Sequence, residues 1–242
     1  MGAQWKHAGK MENSSKRGAL ISKLVKEIAV AAKVGDPNPD NNPRLRAAVE
    51  AARKASVPRD NIERAIKKGA GLLDEQVQFE LITYEGFAPH KIPVVVECLT
   101  DNKNRTAADI RVLFRKGMLG SVGSVAWMFN RLGVVEATCP NQPGLDLETV
   151  AIEAGAQNVE SLEAYEIPAG GIGGRFFCEP TDLDQVSKYL MSHGWSVTLS
   201  EMSYIAKNPM NLSDDEKKAV VEFLGTIDDH DDVHRIYTAL EG

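Results

Sequence analysis

At about residue 78 the spacing of apolar residues changes from a period near 3.6 to a period of 2. That change obliges the chain to be helical first and sheet-containing afterwards. Before it, Leu20, Ile21, Leu24, Val25, Ile28 and Ala32 share one arc of a helix predicted over 16–33, with Lys16, Lys23, Lys26 and Lys33 on the other arc. Gly35 to Pro39 stops that helix. Asn42-Pro43 then offers a cap and a first-turn proline to a second helix with an apolar stripe of Leu45, Ala48, Val49 and Ala52. Pro58 opens a third, with Ile62, Ala65 and Ile66 inside, which closes at Lys67-Lys68-Gly69.

Beyond the change, strands are predicted over 79–84, 93–99 and 124–129, with a helix over 104–116. From Gly133 a second pattern begins: strand 134–137, helix 147–154, strand 159–167, strand 175–179, helix 184–192 and strand 197–205. This βαββαβ order is the ferredoxin-like split arrangement. Ser213 to Glu216 forms a capping box before a helix through Leu224, and a last strand covers 233–238. Both are surplus to the βαββαβ unit and are expected to complete the sheet begun at residue 79. The expected fold is α+β in three domains. These are a basic three-helix unit (1–77), a discontinuous α/β domain (78–131 plus 209–242) and a ferredoxin-like α/β domain (132–208).

The overall charge of −6 conceals an asymmetry. Residues 1–71 hold 15 Lys and Arg against 7 Asp and Glu, a net of +8, whereas the rest holds 13 against 27, a net of −14. A basic module carried by an acidic body points to an anionic partner. No run approaches the roughly 18 apolar residues of a membrane span, and the polar opening is unlike a signal peptide, so a cytoplasmic protein with no membrane partner is expected. Cys98, Cys139 and Cys178 are odd in number and lack C-x-x-C spacing, against both a disulfide framework and a zinc site.

The candidate nucleic-acid contacts follow from the basic module. Trp5, Lys6, His7, Lys10, Lys16 and Arg17 combine an aromatic ring with cations, which suits base stacking and phosphate neutralisation. Lys23, Lys26, Arg44, Arg46 and Arg53 continue the set, arginine adding a planar fork for phosphate. Asn102, Asn104 and Arg105 form a second patch at a strand-to-helix junction, against the alternative that Asn104 or Thr106 caps the helix while Arg105 pairs with a carboxylate. Other motifs carry less. Gly170 to Gly174 lacks the Lys-Ser/Thr and following helix of a phosphate loop and reads as a strand-to-strand connection. Asp228 to Asp232 with His230 and His234 reads as a solvated acidic turn rather than a metal site. No catalytic set converges, so neither an enzyme, a cofactor nor a small-molecule substrate is expected.

Several blocks in order resemble the YebC/PmpR family, relatives of the mitochondrial translational activator of cytochrome oxidase. They are Lys16-Arg17-Gly18, Asp40 to Arg46, Pro58 to Ile62, Tyr84 to Phe87, Glu97 to Asn102 with Asn104-Arg105-Thr106, Gly123 to Ala126, and Asp232-Val233 with Tyr237-Thr238. The chain departs from the family pattern at Ala3-Gln4-Trp5, at His7 to Lys10 and at Lys116-Gly117-Met118. The resemblance implies three domains and a DNA-binding transcriptional regulator or, alternatively, a ribosome-associated translation factor that binds ribosomal RNA. It implies no enzymatic activity and no cofactor. A second alternative, drawn from the acidic body, is an adaptor that docks on a basic protein.

Overall fold

The computed structural model describes residues 14–73, 79–140 and 144–241, with side chains from residue 18 onward. Contacts gather the chain into two compact units. One holds the start of the first helix as far as Lys26, the segment from 79 to Asn130, and Tyr204 onward; the other holds Glu27 to Leu72 and Arg131 to Ser203.

Three helices come first, α1 (Ser14–Val34), α2 (Pro43–Lys54) and α3 (Arg59–Gly69). Asn42 joins the first two. Its side-chain oxygen accepts from the Leu45 N–H (3.0 Å), and its amide donates to the carbonyls of Ala31 and Asp36 (both 2.9 Å). One buried side chain thus satisfies the opening of α2 and the exit of α1. The core between the helices uses small residues, with Ala29, Ala32, Ala48, Ala52 and Ala65 beside Leu45, Val49 and Ile62. Gly69 is required by this closeness, because a Cβ there would lie 2.1 Å from the Ala29 carbonyl oxygen.

The first sheet has the order β3-β1-β2-β8, from β1 (Glu80–Phe87), β2 (Pro93–Thr100), β3 (Met118–Leu119) and β8 (Val233–Thr238). Every residue of β2 is buried, so its Val94-Val95-Val96 run shows no alternation. Val94, Val96 and Cys98 pack under α4 (Lys103–Leu113) and α7 (Asp214–Asp228), while Val95 meets Val125, Phe129 and Tyr237 on the opposite face. The C-terminal strand does return to this sheet, pairing antiparallel with β2 and shifting register between Glu97 and Cys98, a bulge that sets off its first residues.

The second sheet has the order β5-β6-β4-β7, built from β4 (Phe129–Pro140), β5 (Asn158–Ser161), β6 (Gly171–Cys178) and β7 (Ser196–Ala206). With α5 (Leu147–Ala154) and α6 (Leu183–Ser192) it completes the βαββαβ pattern. Its core places Phe176 edge-on to Trp195 at 5.7 Å, among Val135, Val150, Val186 and Leu190.

Three readings of the sequence are corrected here. Residues 124–128 form a turn and a short 3-10 segment rather than a strand, because the Glu85 carboxylate takes the N–H groups of Gly123, Val125 and Ala126 (2.7–2.8 Å) that a ladder would need. The strand expected over 159–167 ends at Ser161, where Glu163 and Glu166 close a turn on each other. Gly171 to Gly174 lie within β6, opposite Pro140 to Ala137. A Cβ on Gly173 would press on Leu162 at 2.9 Å, so the glycines admit a neighbouring segment rather than a phosphate.

Candidate nucleic-acid interface

The candidate residues separate by what already holds them. Trp5, Lys6, His7 and Lys10 lie outside the described residues, and Lys16 and Arg17 belong to α1 with side chains outside the description. Arg44 forks onto the buried Glu27 carboxylate (2.8 and 3.2 Å). Arg46 donates to the carbonyls of Pro39 (3.1 Å) and Asp40 (2.6 Å) and touches the Met191 sulfur. Both arginines are therefore engaged in holding the helices.

Lys23, Lys26 and Arg105 come from distant parts of the sequence and converge on the turn before β8. Lys23 pairs with Asp228 (3.3 Å). Lys26 reaches Asp232 Oδ1 (3.0 Å) and the Asp231 carbonyl (2.9 Å), and lies over the Phe79 ring. Arg105 meets Asp232 Oδ2 at 2.8 Å and Asp101 at 3.1 Å. The hydroxyl of buried Thr106 is 2.9 Å from the same Asp232 oxygen. Burial would raise the Asp232 carboxyl, but the bonds from Arg105, Lys26 and Thr106 outweigh it and hold it at about 2. Asp229 and Asp231 are exposed, as the solvated acidic turn expected from the sequence requires, but Asp232 is only 4% exposed and is corrected to a buried anionic hub. Nothing in the local composition marks it; its role comes from the pairing of β8 with β2, which delivers it to the start of α4.

The junction patch divides in the same way. Asn102, rather than Asn104 or Thr106, caps α4 by accepting from the Arg105 N–H (3.1 Å), and Asn104 is exposed. An open cleft of about 620 Å³ lies beside it, lined by Lys26 and Arg105 but also by Asp101, Asp109, Asp229, Asp231 and Asp232. Five carboxylates against two cations repel phosphate there.

The exposed cations of α2 and α3 are different. Arg53, Lys54, Arg64 and Lys67 are exposed and Lys68 half-buried, and none makes an ion pair with a described residue. Arg64, Lys67 and Lys68 share one face of α3 at spacings of three and four. Arg59 forms an exposed ion pair with Glu63, a kind of contact that contributes little to stability. Arg64, Lys67 and Lys68 are visible as sequence, but nothing there distinguishes a free cation from a paired one.

Burial pushes the Cys98 thiol up to about 12 and Cys178 to about 11, and raises Cys139, which keeps all three as thiols at neutral pH. Among the described residues no group of three or more His, Cys, Asp and Glu is arranged to hold a metal ion. No described helix is long and apolar enough to cross a membrane.

Comparison with known proteins agrees along the whole chain. Residues 2–72 match the model of the TACO1/YebC protein N-terminal domain, and residues 79–240 that of the TACO1/YebC second and third domain. A probable transcriptional regulatory protein of Bdellovibrio bacteriovorus is 50% identical over 99% of this chain and 100% of its own. One from Pseudomonas syringae is 51% identical over 100% of both. The crystal structure of a conserved hypothetical protein from Aquifex aeolicus superposes with a TM-score of 0.79 at 37% identity, covering 99% of this chain and 96% of that one. With both family models matched in order and full-length relatives at half identity, the chain belongs to the TACO1/YebC family.

Proposed function

We propose that this chain is a non-enzymatic regulator of gene expression that binds nucleic acid through α2 and α3, in keeping with relatives named as probable transcriptional regulators. The observation that carries this reading is the set Arg53, Lys54, Arg64, Lys67 and Lys68, which make no ion pair with a described residue, while Lys23, Lys26, Arg44 and Arg46 are satisfied internally. The set extends along α3, a helix of roughly 16 Å. The sequence ahead of these helices, with Trp5, Lys6, His7, Lys10, Lys16 and Arg17, offers further cations and an aromatic ring as candidate contacts.

A salt titration of full-length protein on duplex DNA tests it. Five neutralised phosphates give a log–log slope of about −4.5, and a slope indistinguishable from zero overturns the reading. The net of −14 after residue 71 favours a second setting, the ribosome, where ribosomal RNA and basic proteins are presented together. Crosslinking in cells followed by sequencing separates the two: promoter DNA supports transcriptional regulation, and ribosomal RNA supports a translation factor.

A further inference from the structure

Trp195 is a core residue, 5% exposed, whereas Trp127 is 65% exposed. Exposure of one aromatic ring is ordinary, but the construction beneath this one is not. The Glu85 carboxylate, itself 6% exposed, accepts three backbone N–H bonds from Gly123, Val125 and Ala126. Val125 is fully buried beside Phe129 and Tyr237, so the residues leading into Trp127 are fixed from below. The indole N–H donates to the Ser124 carbonyl (3.1 Å), which sets the ring's orientation and satisfies its polar atom internally. What remains for a ligand is the π-face. Lys207, exposed, donates its ammonium to the Trp127 carbonyl (2.8 Å) and its backbone N–H to the Met128 carbonyl (3.0 Å), which ties a cation to the backbone that carries the ring. The segments 117–131 and 202–213 contain no Asp or Glu, in a region that is otherwise strongly acidic.

We propose that Trp127, with Lys207, is a stacking site for an unpaired base of single-stranded nucleic acid, the lysine meeting the adjoining phosphate. An aromatic face held rigid, with a cation on the backbone that carries it and both segments free of Asp and Glu, suits a planar ring carried on an anionic backbone. Paired bases in a duplex cannot offer such a face, so the site selects unpaired strands. This inference rests on the nucleic-acid reading above and adds to it a second contact, away from α2 and α3 in the sequence.

The test compares full-length protein and its W127A and W127F variants on a thymidine dodecamer and on the same phosphate chain without bases. W127A is expected to lose roughly 10- to 100-fold in affinity for the thymidine strand, with no change on the abasic strand, while W127F keeps most of the affinity. The indole emission that W127F removes is expected to be quenched by the thymidine strand and not by the abasic one. Equal affinities of wild type and W127A for the thymidine strand, or equal losses on both strands, overturn the stacking site. Salt-dependent binding of the abasic strand reports the phosphate contacts separately, so its absence counts against the proposed function rather than against Trp127 alone.

Discussion

Lys26 Nζ lies 3.0 Å from Asp232 Oδ1, so a lysine that the sequence offers to phosphate already has its anion within the chain. Replacing Lys23 and Lys26 by Gln is therefore expected to leave the salt dependence of DNA binding nearly unchanged, within about 0.5 of a slope unit. Replacing Arg64 and Lys67 by Gln is expected to make it shallower by about 2. Titration of both double variants checks this, and the reverse ranking would place the interface on α1.

The Asp232 hub also sets an acid limit. Its carboxyl is held at about 2, below its ordinary 3.8, so its stabilisation is complete above about pH 4 and is lost as pH falls through 2. Wild-type stability is expected to drop by on the order of 1–2 kcal/mol across that window from this group. D232N starts lower and loses less, a difference that urea unfolding at stepped pH reads directly.

Glu85 supports the Trp127 turn. Burial alone would raise its carboxyl, yet the three N–H bonds prevail and hold it below the usual carboxylate range. In E85Q one carboxylate oxygen becomes an amide NH₂ facing N–H donors, and a loss of about 2 kcal/mol is expected. Chemical denaturation measures the loss, and the emission of Trp127 is expected to shift as its support loosens.

G69A tests the contact between α3 and α1. The added methyl would lie 2.1 Å from the Ala29 carbonyl oxygen, which is backbone and cannot rotate aside. A destabilisation of about 3 kcal/mol is expected despite the better helix propensity of alanine, checked by the thermal midpoint. An unchanged midpoint would mean that the helices separate without cost.

N42A is expected to cost about 2 kcal/mol, because it removes a helix cap and the amide bonds to the carbonyls of Ala31 and Asp36, of which Ala31 keeps the Gly35 N–H. N42D keeps the cap oxygen but not the donor, and is expected to recover only part of the loss in the same denaturation assay.

Elements governed by local chemistry were legible in the sequence. The Asn42 cap, the Ser213–Glu216 capping box and the βαββαβ order all rest on neighbours a few residues apart, and each is present. What escaped depends on long-range pairing. The turn at 124–128 resembles a strand until Glu85, some 40 residues earlier, removes its N–H donors. Asp232 looks solvated until Lys26 and Arg105 arrive from 206 and 127 residues away. Lys23, Lys26, Arg44 and Arg46 read as cations on offer because composition counts charges without showing which are already neutralised.

The place of β8 in the first sheet has a consequence for the order of synthesis. β2 has both edges paired only when β8 joins it, and β8 begins at Val233, long after β2 ends at Thr100. At about 5–20 residues per second, the emerging chain carries an apolar strand with one edge open for several seconds or more. Within that interval α5, α6 and β4 to β6 are synthesised, and their sheet takes no strand pairing from β8. The nascent protein thus passes through a half-finished stage in which β2 is the segment most in need of a chaperone.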